Sequence, residues 1–254
     1  MRIKLDKKLV SGRFAKSLET YDENAIVQRD MALELTRALK EKVGVDFSRI
    51  FEVGCGTGML TRYIAQDFKY EKLIVNDLVP EYMVPIMEMV TCDFMAGDVE
   101  TLPSMPRELD LIISNATFQW MENMERVLRR LAEKLKVGGI LAFSTFGVDN
   151  IKEIGELLGI TLRYLGADDI RQALGYCYDE LYFSESRREL KFADPQMLLR
   201  HLQKTGVTGI RKDIWTKSSM QKFMDDYMER YGDADGVKLT YHPMLFIARK
   251  TEKR

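Results

Sequence analysis

Short apolar runs alternate with amphipathic stretches along most of this chain. Residues 50–53 (Ile-Phe-Glu-Val) are apolar nearly throughout and break into glycines, which predicts a buried strand. Residues 73–77, 93–98, 109–114 and 139–145 repeat the pattern and predict four more strands. Helical periodicity falls between them, at 59–67 and 122–136. Strands that are apolar on both faces and separated by helices predict a parallel sheet covered on both sides, so residues 48–146 read as a doubly wound α/β unit. Ahead of it, Ala25, Ile26, Met31, Leu35 and Leu39 recur at helical spacing within 23–43, after a basic lead-in over 1–20. Behind it the pattern predicts two helices within 150–175, a strand at 188–192, helices at 195–204 and 218–231, and one closing strand at 239–249. No repeat or low-complexity linker divides the chain. A single domain is expected: a helical cap over 1–47, a ligand-binding core over 48–146, and accessory helices with closing strands over 147–254.

Composition narrows the class. The chain has 254 residues, 46% hydrophobic and 30% charged, with a net charge of −1. It can bury a large core and is too apolar for general disorder. Near-neutral charge gives no reason to expect nucleic acid or a membrane surface as partner. The first ten residues hold no apolar signal core, and no apolar run reaches the roughly 18 residues that cross a bilayer, so a cytoplasmic protein is expected. Three scattered cysteines (Cys55, Cys92, Cys177) and two histidines (His201, His242) predict neither a disulfide framework nor a zinc site, and leave a carboxylate-only magnesium site open.

The sharpest signal is Glu52-Val53-Gly54-Cys55-Gly56-Thr57-Gly58, at the end of the first strand and the start of a helix. Glycines there let the backbone turn tightly and approach a ligand. The spacing is G-x-G-x-G, not the G-x-G-x-x-G of dinucleotide folds, and an acid precedes it. A carboxylate at that place suits a cationic or zwitterionic ligand and would repel a pyrophosphate. Asp77 ends the second strand, 19 residues after Gly58; there a carboxylate accepts hydrogen bonds from ribose hydroxyls. The alternatives are a plain turn for the loop and a helix N-cap for Asp77.

With these residues the chain resembles the class I S-adenosylmethionine methyltransferases. Its flanks resemble one group of them, the malonyl-acyl-carrier-protein O-methyltransferases of biotin synthesis. The resembling stretches are Arg13-Phe14, Tyr21-Asp22, Ala25 with Gln28-Arg29, Ser114–Trp120 (SNATFQW), Ser144–Gly147 (STFG) and His201–Val207 (HLQKTGV). The resemblance implies a Rossmann-like fold with a mostly parallel seven-stranded sheet, helices on both faces and accessory helices over the site. It implies S-adenosylmethionine as cofactor, no metal, and a cofactor site of Glu52, Gly54, Cys55, Gly56, Gly58, Asp77, Leu78, Asp98, Val99 and Asn115. Asp98 would meet the adenine amino group and Asn115 the methionine moiety.

The implied reaction methylates the free carboxylate of a malonyl thioester, on acyl-carrier protein or coenzyme A. A carboxylate is already a nucleophile at pH 7, so no general base is needed. Positioning and desolvation carry the rate, which suits a chain without a nucleophile–base constellation. Tyr21, Gln119, Trp120 and Phe146 are the candidates to cap the methyl group. Phe118 and Trp120 could equally be core, and His201, within an apolar-periodic helix, reads as structural. Arg13, Arg29, Arg163, Arg171, Arg187, Arg188 and Arg200 are the candidate partners for the malonyl group. A local excess of Lys and Arg over 185–217, and the basic helix 122–136, could steer an acidic carrier. The chain is expected to act as a monomer. The alternatives are a methyltransferase for an aconitate-like acid or a quinone ring, a binding module on the same fold, and a nicotinamide dehydrogenase.

Overall fold

The structure, a computed structural model, describes residues 6–159, 162–206 and 216–252. Two helices come first: α1 (Lys7–Asn24) and α2 (Ile26–Lys42). Asp6 caps α1 by accepting from the Leu9 N–H at 3.2 Å. The basic lead-in is therefore helical, and the helix expected over 23–43 starts only after a break at Ala25, whose φ/ψ of −83°/52° is not helical.

A β/α succession follows: β1 (Arg49–Val53), α3 (Met59–Asp67), β2 (Lys72–Asp77), α4 (Met83–Met89), β3 (Asp93–Ala96), β4 (Leu109–Ser114), α5 (Met124–Ala132) and β5 (Leu135–Phe146). Then come α6 (Lys152–Leu158), α7 (Ala167–Leu174), β6 (Tyr178–Glu185), β7 (Arg188–Phe192), α8 (Pro195–Lys204), α9 (Lys217–Tyr231), β8 (Gly232–Asp233), β9 (Gly236–Tyr241) and β10 (Pro243–Lys250). The main sheet has seven strands in the order β3-β2-β1-β4-β5-β10-β6. Strands β3 to β5 are parallel, and β10 runs antiparallel between β5 and β6.

Strand alternation sends side chains to two cores. Phe51, Ile112, Phe143 and Phe246 pack with α5 and α7 on one face. Ile50, Leu111, Ile113, Ala142 and Ile247 pack with α2, α3 and α4 on the other. A third core joins α8, α9 and β9 with Val27, Met31 and Phe146.

Two expectations are corrected. The closing strand expected over 239–249 is two strands in different sheets. β9 pairs with β7 and β8 in a separate three-stranded sheet, while β10 pairs with β5 and β6. The switch falls at His242, just before Pro243, a residue that suits the first position of a strand because it has no N–H to donate. The edge strand β6 was not foreseen. Apart from the buried Tyr178, its residues are half-exposed or exposed and lack the continuous apolar run that marked the central strands.

Candidate functional site

The ends of β1, β2 and β4 converge on a cavity of about 950 Å³. Gly54, Cys55, Gly56, Asp77, Leu78, Asp98, Val99 and Asn115 line it. Gly54 has φ +71°, and a Cβ there would collide with the Thr117 side chain. Gly56 has φ +52°, faces open space, and donates its N–H to Asp77 Oδ2 at 2.8 Å. The loop and the acid at the end of β2 are therefore one unit. Gly58, at φ +85°, is the N-cap of α3 and stands behind the wall, against Ile86 and Met89.

Asp77 also accepts from the Val79 N–H at 2.8 Å. Burial pushes its pKa up to about 6, restrained by backbone N–H donors. It stays mainly ionised at neutral pH, with acceptor capacity left for a ligand. Cys55 is buried, and burial first, then Glu52 and Asp77, holds its thiol far above the ordinary range. It is a small wall residue.

Glu52 requires a correction. It is fully buried, it does not line the cavity, and it accepts from Thr61 Oγ1 at 2.7 Å. Burial pushes its pKa up to about 8, so the neutral acid dominates at pH 7. The electrostatic argument that assigned this acid to a cationic ligand fails here; Glu52 anchors β1 to α3 beneath the loop.

Asp98 lines the cavity, but its carboxylate already has a partner. Lys7, on α1, reaches Asp98 Oδ2 at 2.6 Å and also pairs with Glu100. Burial opposes the charge on Lys7, but the two acids outweigh it and raise its pKa. Asn115 is fastened as well, donating to the Gln28 carbonyl at 3.0 Å and accepting from Ser144 Oγ at 2.6 Å.

A second, smaller chamber of about 350 Å³ adjoins the first. The two share Phe14, Tyr21, Ala116 and Trp120. These residues form the seam between them. Phe14 stands edge-on to Trp120 at 5.5 Å between ring centroids and to Tyr21 at 6.2 Å. Burial first, then Asp22 and Asp77, pushes the Tyr21 phenol up, so it stays protonated. Ala116 has φ +49°, a sparsely populated conformation for a residue with a Cβ, held by hydrogen bonds from its N–H to Ser144 O and Oγ at 3.2 and 3.0 Å. Gln119 and Phe146 line the chamber beyond the seam, with Gln28, Asn150, Tyr164 and Tyr241. Phe118 instead stacks on Phe143 in the core at 4.6 Å.

The sequence reading did not name Lys7, Phe14, Tyr82 and Thr117 as site residues, which line the first cavity, nor Asn150, Tyr164 and Tyr241, which line the chamber. Phe14 carried a signal, an aromatic in a basic lead-in. The chamber residues carried none, because they come from segments distant in sequence. His201 is buried, as a structural histidine should be. Desolvation lowers its pKa to about 4, and its Nε2 lies 2.8 Å from the Tyr241 hydroxyl.

The candidate arginines do not converge on the chamber. Arg171 pairs with Glu180, Arg187 with Asp149 and Glu185, and Arg188 with Asp30 and Glu34. Arg13 lines neither the cavity nor the chamber. Arg29 and Arg200 are exposed, and Arg163 lines a third cavity, which shares Gln119 and Phe146 with the chamber. The basic excess over 185–217 is reduced by the same pairing: Arg187, Arg188 and Lys191 meet acids from outside that window. Arg211 and Lys212 of that window, and Val207 of the HLQKTGV stretch, lie outside the described residues. On the basic helix, Arg129 pairs with Glu125, and Arg130 donates to the Glu100 and Leu102 carbonyls.

Comparison with known proteins agrees with this architecture. Residues 51–143 match a family model described as a methyltransferase domain. The chain is 37% identical to a malonyl-[acyl-carrier protein] O-methyltransferase of Chlorobium luteolum, over 98% of this chain and 97% of that one. It is 35% identical to proteins of the same name from Bacteroides thetaiotaomicron, over 97% and 99% of the two chains, and Acinetobacter baylyi, over 99% and 100%. Among solved structures, it superposes on a putative methyltransferase of Bacillus halodurans with a TM-score of 0.64 at 14% identity, over 85% and 98% of the two chains. It superposes on the N-methyltransferase NodS of Bradyrhizobium japonicum, solved with S-adenosyl-L-homocysteine, with a TM-score of 0.51 at 15% identity, over 90% and 88%. Among the described residues no helix is long and apolar enough to cross a membrane.

Proposed function

This chain belongs to the malonyl-[acyl-carrier protein] O-methyltransferases, S-adenosylmethionine-dependent enzymes, and we propose that its acceptor is the free carboxylate of a malonyl thioester on acyl-carrier protein. One observation carries the reading: the relationship extends nearly end to end. It therefore takes in Phe14, Tyr21, Asn150, Leu162, Tyr164, Thr205 and Tyr241, outside the matched methyltransferase domain, which form much of the chamber wall.

The cavity suits the cofactor. Gly56 leaves open space above the loop, Asp77 is an ionised acceptor, and Leu78, Val79, Val99 and Met121 offer apolar walls for a flat base. In this reading Asp77 takes the ribose hydroxyls. Asp98 meets the adenine edge only if it shares its carboxylate with Lys7 or releases that lysine. Bound S-adenosylmethionine supplies an electrophilic methyl on a cationic sulfur. Tyr21, Trp120 and Phe14 at the seam exclude water from the path between cavity and chamber, and Gln119 and Phe146 bound the acceptor's approach. The acceptor carboxylate would lose hydration inside this wall and attack the methyl carbon in line, without a base, the O–C bond forming as the S–C bond breaks and S-adenosylhomocysteine leaves. The ester formed removes the malonyl charge, which would let the product prime chain elongation toward biotin.

The test is transfer of a labelled methyl group from the donor to malonyl-carrier protein, with malonyl-coenzyme A and aconitate in parallel. Base-labile label on the malonyl thioester is the expected result. Label confined to aconitate would overturn the acceptor assignment and leave the methyltransferase family standing.

A further inference from the structure

The acceptor chamber raises a question of charge. Among the described residues its walls carry no lysine, arginine or histidine side chain, and no carboxylate. A malonyl carboxylate entering it would be read by neutral groups alone. A guanidinium would grip the anion through two charge-assisted bonds and occupy the lone pairs that must attack the methyl group. A neutral donor orients the same anion and leaves it the better nucleophile.

The fold already uses most of the polar side chains in these walls. Gln119 donates through Nε2 to the Ala116 carbonyl at 2.5 Å and accepts through Oε1 from Thr145 Oγ1 at 3.3 Å. Thr205 Oγ1 donates to the His201 carbonyl at 2.9 Å, and the Tyr241 oxygen lies 2.8 Å from His201 Nε2. Asn150 Oδ1 accepts from the His242 N–H at 3.3 Å. Tyr21 and Tyr164 are half-buried, so water can satisfy their phenols. Gln28 differs from all of these. It stands in the first turn of α2, lines the chamber and is only 4% exposed. Its backbone is committed, the Gln28 carbonyl accepting from Asn115 Nδ2 at 3.0 Å. Its side-chain amide has no hydrogen-bond partner among the described residues. Folding takes that amide out of bulk water and returns no bond, a net loss that a ligand in the chamber would reverse.

The bond from Asn115 places Gln28 beside the seam. Asn115 lines the cofactor cavity, and the next residue, Ala116, belongs to the seam itself. Transfer requires the malonyl carboxylate at the seam, with the thioester and its arm farther out. We propose that the Gln28 side chain donates a hydrogen bond from Nε2 to the malonyl carboxylate oxygen that does not attack, and that this bond makes the chamber select an acid. The attacking oxygen is left facing the methyl carbon, beside Tyr21 and Trp120. The first turn of α2 adds to the preference, because that end of a helix is partially positive and favours an anion. This inference rests on the malonyl thioester reading above.

The experiment compares wild type with Gln28→Met, which keeps the side chain's length and removes its amide, and with Gln28→Asn, which keeps the amide and withdraws it by one methylene. Malonyl-carrier protein is the substrate and acetyl-carrier protein the competitive inhibitor. The acetyl form has the same arm and carrier but no carboxylate. Gln28→Met is expected to lower kcat/KM for the malonyl substrate by about 10- to 100-fold, the scale of a hydrogen bond to a charged group. Gln28→Asn loses less. In both variants the inhibition constant of acetyl-carrier protein and the affinity for the methyl donor stay at wild-type values. The Tm of Gln28→Met does not fall, because no bond within the fold is lost. An unchanged kcat/KM in Gln28→Met overturns the proposal. A parallel rise in the acetyl inhibition constant also overturns it, by placing the amide on the thioester arm. A Gln28→Met protein that fails to fold or melts earlier overturns it too, because the amide would then serve the fold. If the wild type labels no malonyl thioester, the substrate reading fails first and this inference falls with it.

Discussion

The cofactor cavity and the acceptor chamber share a wall but are built on opposite plans. The cavity is organised by a glycine loop and three strand ends, with one acid tied directly to the loop by the Gly56–Asp77 bond. Its elements lie within the stretch between Val53 and Met121, apart from what α1 contributes. The chamber is made by side chains from α1, α2, the 116–120 turn, the end of β5, Asn150, Leu162, Tyr164, Thr205 just after α8, and β9. It contains no charge among the described residues. In the proposed reading one half holds a methyl donor common to many enzymes. In the same reading the other half defines a particular acceptor and is assembled from parts distant in sequence.

Substitutions in the two halves should therefore separate cleanly. Gly54→Val is expected to have the largest effect, since a side chain there meets both Thr117 and a positive φ. Donor affinity should fall by about 100-fold or more, read by calorimetry, with the circular dichroism of the fold retained. Normal affinity would mean that the loop does not define the cavity. Asp77→Ala comes next, weakening donor binding by about 1.5–3 kcal/mol. Wild-type affinity should also decline as pH falls through about 6, where Asp77 gains its proton, and Asp77→Ala should lose that dependence. On the other side of the seam, Gln119→Ala should lower kcat/KM for the acceptor by roughly 10-fold without changing donor affinity. A change in donor affinity would dissolve the distinction.

The smallest effect concerns Glu52, beneath both. Its folded pKa, about 8, lies above its ordinary 4.5. Its favourable contribution is complete below the ordinary value and is lost as pH rises through about 8. Glu52→Gln keeps the acceptor for Thr61 and cannot ionise. The Tm of this variant should thus gain on wild type between about pH 4.5 and about pH 8, with donor affinity at pH 7 unchanged. A donor affinity that fell in Glu52→Gln would restore the acid to the cofactor site.

The same contrast explains what could be read from the sequence. Glycines at fixed spacing after an apolar run, and acids at strand ends, are local signals. They pointed to Gly54, Gly56 and Asp77, which the structure places together on one wall. Glu52 misled because sequence reveals a carboxylate but not its burial, and burial changed its charge state. Asp98 was located while its partner was not, because Lys7 precedes it by 91 positions. Asn150, Tyr164 and Tyr241 were silent for the same reason: nothing local distinguishes a tyrosine facing a chamber from one facing a core. The split at His242 was hidden because β9 and β10 are both apolar, and only their pairing partners differ.

The central claim is that the two cavities meet at the Phe14–Tyr21–Ala116–Trp120 seam and that transfer occurs across it. A crystal structure of the enzyme with S-adenosylhomocysteine and a malonyl thioester tests it most directly. The account predicts the sulfur at the seam, ribose hydroxyls on Asp77, and the malonyl carboxylate within the chamber. A sulfur directed away from the seam, or a malonyl group bound outside the chamber, would contradict it.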